Sequence, residues 1–126
     1  MKVRHIFYIQ AIALLIASSI WLFAPAAFYK TGGLATTDPK WLLFGQNTGA
    51  LLLGLFPIAF FAGRAADSPL RRELRLSFFI LHFISLLVYA IAWFIFNVTF
   101  GDGMAIGLHI FFVFGFGYFQ FLTPNA

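Results

Sequence analysis

Four apolar runs leave this chain few folds to choose from. They lie at about residues 4–28, 41–63, 74–97 and 104–122, each roughly 19–25 residues long. About 20 helical residues, rising 1.5 Å each, cross the hydrocarbon core of a bilayer. Membrane-spanning strands would be about half as long and would alternate in polarity. The runs therefore predict helices over residues 4–28, 41–63, 70–97 and 103–122.

Composition says which solvent these helices meet. The chain is 62% hydrophobic and 21% aromatic, with 10% charged residues. A soluble domain carries about 25% charged residues. A compact fold of 126 residues has too little interior to hide this much apolar surface, so lipid must be the main solvent. The expected class is all-α: a single-domain polytopic membrane protein, a four-transmembrane-helix bundle.

No cysteine is present, which removes disulfides, thiolate metal sites and cysteine nucleophiles. The net charge of +4 sits at the ends of the apolar runs. This favours a membrane surface over nucleic acid as its partner.

The connections are short. "YKTGGLATTDPK" breaks at Gly32-Gly33 and turns at Asp38-Pro39. In "RAADSPLRREL", Ser68 reads as an N-cap with Pro69 at the first helical position. "VTFGDG" closes the last pair, with Asp102 a cap for the final helix. Placing both termini inside puts six of the eight Lys and Arg on the cytoplasmic face: Lys2, Arg4, Arg64, Arg71, Arg72 and Arg75. The reverse orientation puts only Lys30 and Lys40 there. The positive-inside rule thus predicts N-in, C-in. "MKVRH" with a later "APAA" has the outline of a cleavable secretory signal. The run is too long and too aromatic for one, so it reads as a retained helix.

Polar residues within the runs fall into lines. In the third run Phe78, His82, Ser85, Tyr89, Ala92 and Phe96 recur at alternating spacings of four and three, a heptad seam. Phe7, Gln10, Leu14, Ala17, Trp21 and Ala24 make a similar line in the first run. His109, Val113, Phe116 and Gln120 share a face of the fourth. In the second, Gln46, Asn47, Ala50, Gly54 and Pro57 share one face. Gly45, Gly49 and Gly63 form another line, with Gly-x-x-x-Gly spacing at its start. Small residues let membrane helices approach closely, so this helix is expected to pack on two neighbours. Gly103 and Gly107 in "GMAIG" repeat the spacing and suit the bundle or a partner helix.

An unpartnered amide in hydrocarbon costs about 2–7 kcal/mol, so Gln46 and Asn47 are expected to face the bundle. The sharpest expectation is a pocket in the outer half, walled by Gln46, Asn47, Tyr89 and His109 and closed by Trp21 and Trp93. It would hold a lipid-like or quinone-like amphiphile. The same residues also fit a structural hydrogen-bond cluster that locks the helices in register. Arg64, Arg71, Arg72 and Arg75 fit anionic lipid headgroups as well as orientation.

Other chemistries have less to stand on. Counting rise per residue puts His82 and His109 roughly 10 Å apart in depth, which argues against shared haem ligation. Two histidines with no intramembrane acid do not make a zinc site. Asp38, Asp67, Glu73 and Asp102 all lie at ends or in loops, where they do not mark an ion path. No catalytic triad, phosphate loop or metal-ligand spacing is found. "NVT" at 97–99 matches a glycosylation sequon close to the membrane.

"GQNTG" opening the second run, the Arg-rich "RAADSPLRREL" and the mid-helix histidine of "FFILHFISLLVY" give the chain a pattern that resembles small four-helix integral membrane proteins of bacteria. It is similar, more faintly, to the four-helix membrane proteins that scaffold sterol enzymes. The resemblance implies a bacterial inner membrane and a non-enzymatic role. The expected function is a binding or accessory protein for an amphiphile or for a partner's transmembrane helix, including a second copy of this chain. No cofactor is expected. A small channel or transporter subunit is the alternative.

Overall fold

The computed structural model describes residues 2–31, 37–96 and 103–123. Among these there are five α-helices and no strand: α1 (Val3–Phe23), α2 (Pro25–Thr31), α3 (Pro39–Arg64), α4 (Pro69–Phe96) and α5 (Gly103–Gly117). A short π-helical stretch, Tyr118–Leu122, continues α5. Segments of α1, α3, α4 and the α5 arm are each long and apolar enough to cross a membrane.

The first run holds a break that its hydropathy does not show. Ala24 leaves helical geometry at φ −138° and ψ 47°. Pro25 follows, and proline disfavours helical backbone in the residue before it. The expected single helix over 4–28 is thus α1 plus the separate α2. The caps at the next two starts follow the sequence. Asp38 accepts the Lys40 N–H at 2.9 Å ahead of Pro39. Ser68 Oγ accepts the Arg71 N–H at 3.2 Å ahead of Pro69. The expected Asp102 cap and the 97–99 sequon lie outside the described residues.

α1 and α3 form an antiparallel pair. Gly45 meets Trp21 and Pro25, Gly49 meets Leu22 and Ser18, and Gly63 meets Tyr8. These contacts span about 27 Å of α3 at 1.5 Å per residue. A Cβ at Gly49 would lie 2.8 Å from the Leu22 backbone nitrogen. Only glycine permits this approach, which supplies packing where lipid provides no hydrophobic drive.

α4 and α5 form the second pair, with Phe78 stacked on Phe116 at 5.6 Å. α1 joins the two pairs. Phe7, fully buried, sets its ring edge against Phe78 at 6.0 Å and against Phe116 at 5.2 Å. Around this junction lie Val3, Ile6, Ala11, Ala59, Ala62, Phe112 and Phe119.

The outer faces carry large apolar side chains, such as Phe23, Leu51, Phe94 (84% exposed) and Phe114. An exterior of this kind suits hydrocarbon. Trp21, Phe28, Tyr29, Trp41 and Phe44 form a chain of ring contacts at one end of the α1–α3 pair. Tyr29 donates to the Trp41 carbonyl at 3.0 Å. Burial raises the Tyr29 phenol above its usual pKa, so it stays a donor at neutral pH. We call this the tryptophan end and the opposite one, with Arg64, Arg71, Arg72 and Arg75, the arginine end.

α3 was expected to pack on two neighbours. Its glycine line does lie against α1. Gln46, Asn47, Ala50 and Gly54, on the other side, are exposed, and a Cβ at Gly54 would meet nothing within 4 Å.

Candidate functional site

A chain of buried polar groups crosses the junction of the two helix pairs. Gln10 of α1 is 1% exposed and His82 of α4 is 5% exposed. The His82 Nε2 and Gln10 Oε1 atoms are 2.7 Å apart. His82 Nδ1 lies 2.7 Å from Nδ1 of His109 on α5. Phe112 stacks on the His82 ring at 4.7 Å between centroids and covers one side of it.

The hydrogen-bond roles follow from what each atom can do. An amide oxygen only accepts, so His82 Nε2–H is the donor to Gln10. In the uncharged pair His82 Nδ1 then carries a lone pair, and His109 Nδ1–H donates to it. That leaves His109 Nε2 without a proton. It has no hydrogen-bond partner among the described residues, and the His109 ring is only part-buried.

A cleft of about 320 Å³ opens at this ring, lined by Leu81, Ile84, Ser85, Val88, Tyr89 and His109. Tyr89 and His109 have centroids 5.7 Å apart. Ser85 Oγ is engaged with the Leu81 carbonyl at 2.9 Å. Ile84 and Val88 are exposed on the outer face of α4, so the cleft is entered from the side of the bundle. Its size is at the lower end for a small-molecule pocket, with room for one ring-sized head.

The arrangement can accept a hydrogen bond at His109 Nε2. Rotation of the Gln10 amide would present its NH₂ to His82 Nε2 and reverse both histidine bonds. His109 Nε2 would then carry a proton and donate. The buried chain thus sets the polarity of the exposed nitrogen. It does not pass protons onward, because the Gln10 amide has no basic atom to take one.

The structure gathers part of the expected pocket. Tyr89 and His109 meet on α4 and α5. Gln46 and Asn47 stand exposed on α3, away from both, with no side-chain hydrogen bond among the described residues. Helical periodicity gave their shared face but not the side on which α1 lies. Trp21 is held by Phe28, Tyr29 and Gly45, and Trp93 is 59% exposed.

The expected depth difference between the histidines is also corrected. Phe78 pairs with Phe116, and His82 with Phe112. His109 is three residues from Phe112, so the offset is about 5 Å, and the two imidazoles reach across it. Gln10 and Gln120, on the expected faces, were not singled out as site residues. Nothing in one helix shows that its amide meets an imidazole or a guanidinium from another.

The glycines divide in the same way. Gly45 and Gly49 lie against α1, whereas a Cβ at Gly54, Gly103 or Gly107 would meet no other element within 4 Å among the described residues. The four arginines also differ. Arg72 pairs with Asp67 at 3.7 Å on the surface, and Arg64 sits over the Phe60 ring at 5.9 Å. Arg75, 2% exposed, donates from Nε to Gln120 Oε1 at 2.8 Å. Arg71 is buried over Phe7. Comparison with protein-family models, curated proteins and solved structures found no match.

Proposed function

We propose that this chain is a non-enzymatic, multi-pass membrane protein that holds a lipid-like or quinone-like amphiphile at His109. The observation that carries the reading is His109 Nε2, without a hydrogen-bond partner among the described residues, on a part-buried ring at the end of the Gln10–His82–His109 chain. A polar atom placed beside lipid is costly unless a ligand or water satisfies it. The cleft walls are apolar apart from Ser85, Tyr89 and His109. A head with one hydroxyl or carbonyl would bond Nε2, and its tail would lie along Ile84 and Val88. The two polarities of the Gln10 amide suit a quinol and a quinone respectively.

The distribution of Lys and Arg supports both termini on the cytoplasmic side, and the resemblance to small bacterial proteins supports an inner membrane. In that orientation the arginine end is cytoplasmic.

A second reading has its own observation. Gln46, Asn47, Ala50 and Gly54 form an exposed polar and small-residue face on α3. Amides in lipid favour a partner helix that can hydrogen-bond to them, so this face supports an accessory role beside another membrane protein.

Titration of the protein in lipid nanodiscs with a short-chain benzoquinol and its quinone, read by native mass spectrometry, tests the first reading. We expect a one-to-one adduct that is lost in His109→Leu and kept in Asn47→Leu, with helical content unchanged in both. Equal adducts in wild type and His109→Leu would defeat the His109 assignment. No adduct with either probe, together with a co-purifying membrane protein lost in Gly54→Leu, would replace it with the second reading.

A further inference from the structure

The group that the fold leaves least accounted for is Arg71, at the arginine end. It is 9% exposed, on the first turn of α4. Its backbone N–H is capped by Ser68. Its guanidinium lies 5.9 Å from the Phe7 ring centroid and makes no hydrogen bond or ion pair among the described residues. Nε is sealed inside the protein without a partner. Arg71 lines a cleft, and its two Nη atoms are the donors that remain for a ligand there.

The nearby acids do not serve it. Asp67 pairs with Arg72, and Glu73 is exposed and forms no ion pair among the described residues. Arg75 lies one turn further along the same side of α4 and adds positive charge. A buried guanidinium with no counter-ion is strongly unfavourable. An anion beside the guanidinium would offset that cost.

The surroundings say what kind of anion. Arg71 lines a cleft of about 230 Å³ between the end of α3 and the start of α4. Phe61, Ala62, Leu70 and Leu74 make its walls apolar, and Ser68 adds a hydroxyl beside Arg71. A free inorganic anion has no use for such walls. A phosphate carrying acyl chains does, because its oxygens meet Arg71 while the chains run along Phe61.

We propose that this cleft is a binding site for the phosphate of an anionic phospholipid, with Arg71 as its anchor. Two guanidinium N–H groups meet two phosphate oxygens in parallel, a geometry that arginine supplies and lysine does not. The site is separate from the His109 cleft and stands without it. It also separates the arginines, since Arg64 and Arg72 give only a screened surface charge.

The test is native mass spectrometry of the full chain in mild detergent, titrated with phosphatidylglycerol, with phosphatidylcholine of the same chains, and with inorganic phosphate. We expect the first phosphatidylglycerol to bind at least tenfold more tightly than phosphatidylcholine. Arg71→Gln should reduce that preference to twofold or less, while Arg64→Gln and Arg72→Gln each keep more than half of it. Arg71→Lys, which retains the charge, should lose about fivefold. This variant decides the matter if Arg71→Gln does not fold, as read by circular dichroism. Unchanged binding in Arg71→Lys and Arg71→Gln would overturn the proposal. So would equal losses in Arg64→Gln and Arg72→Gln, which would indicate a diffuse charged surface. Displacement of the lipid by millimolar inorganic phosphate would overturn its assignment as a lipid site.

Discussion

Replacing Gln10 with leucine tests whether the buried polar chain holds the two helix pairs together. The change removes the acceptor of the 2.7 Å bond from His82 at similar side-chain volume. His82 Nε2–H would then face the leucine side chain instead of an amide oxygen. Leaving a buried donor unsatisfied costs about 1–3 kcal/mol. Interhelical hydrogen bonds in membranes average about 0.6 kcal/mol and reach about 1.7, because the unfolded chain also finds partners. We therefore expect Gln10→Leu to cost about 1–2 kcal/mol, a five- to thirty-fold change in the folded-to-unfolded ratio on the order usual for such losses. His82→Phe keeps an aromatic ring against Phe112 and Phe116 but strands both Gln10 and His109, so its cost should be at least as large. In the double variant no donor or acceptor is stranded between α1 and α4. Its cost should fall short of the sum by about 1 kcal/mol, since removing both partners can be nearly neutral. The assay is reversible unfolding in mixed micelles with rising dodecyl sulfate, followed by far-ultraviolet circular dichroism. Costs that add within about 0.5 kcal/mol, the range for independent sites, would refute the claim that these residues are coupled.

Three further outcomes follow from the packing. Gly49→Ala should destabilise by about 1–3 kcal/mol, the range for overpacking, because its Cβ would press on the Leu22 backbone; Gly54→Ala, with open space around it, should change stability by less than about 0.5 kcal/mol. Thermal melts in detergent separate the two. Gln120→Leu removes the acceptor of a bond from a buried cation and should cost about 1.5–3 kcal/mol, read by the same unfolding assay. Asp38→Ala removes the α3 cap and should cost about 0.5–2 kcal/mol, with faster amide exchange confined to the first turn of α3.

The candidate site was partly legible. The four-three spacing through Phe78, His82, Ser85 and Tyr89 marked the face of α4 that meets α5, because a heptad stripe can only be satisfied by a neighbouring helix. The same spacing runs back through Arg75 and Arg71, a signal that was available and pointed to their burial. The Gly45–Gly49 line marked the close face of α3. Gln46 and Asn47 point outward, although a polar face in an apolar helix favours an inward one. Whether it points inward depends on where the next helix lies.

The apolar runs and the near absence of charge inside them determined the all-helical class and the number of helices long and apolar enough to cross a membrane. These depend on chain length against bilayer thickness and on the cost of moving charge into hydrocarbon, both properties of local sequence. Asp38-Pro39 and Ser68-Pro69 likewise set two helix starts through bonds within a single turn. Only the tertiary structure decided that α1 joins the two helix pairs, that Gln10 meets His82, and that His109 Nε2 and the Arg71 guanidinium find no hydrogen-bond partner among the described residues. Those outcomes depend on the rotation and stagger of one helix against another. They arise from the sum of many small packing contacts, and no single helix encodes them.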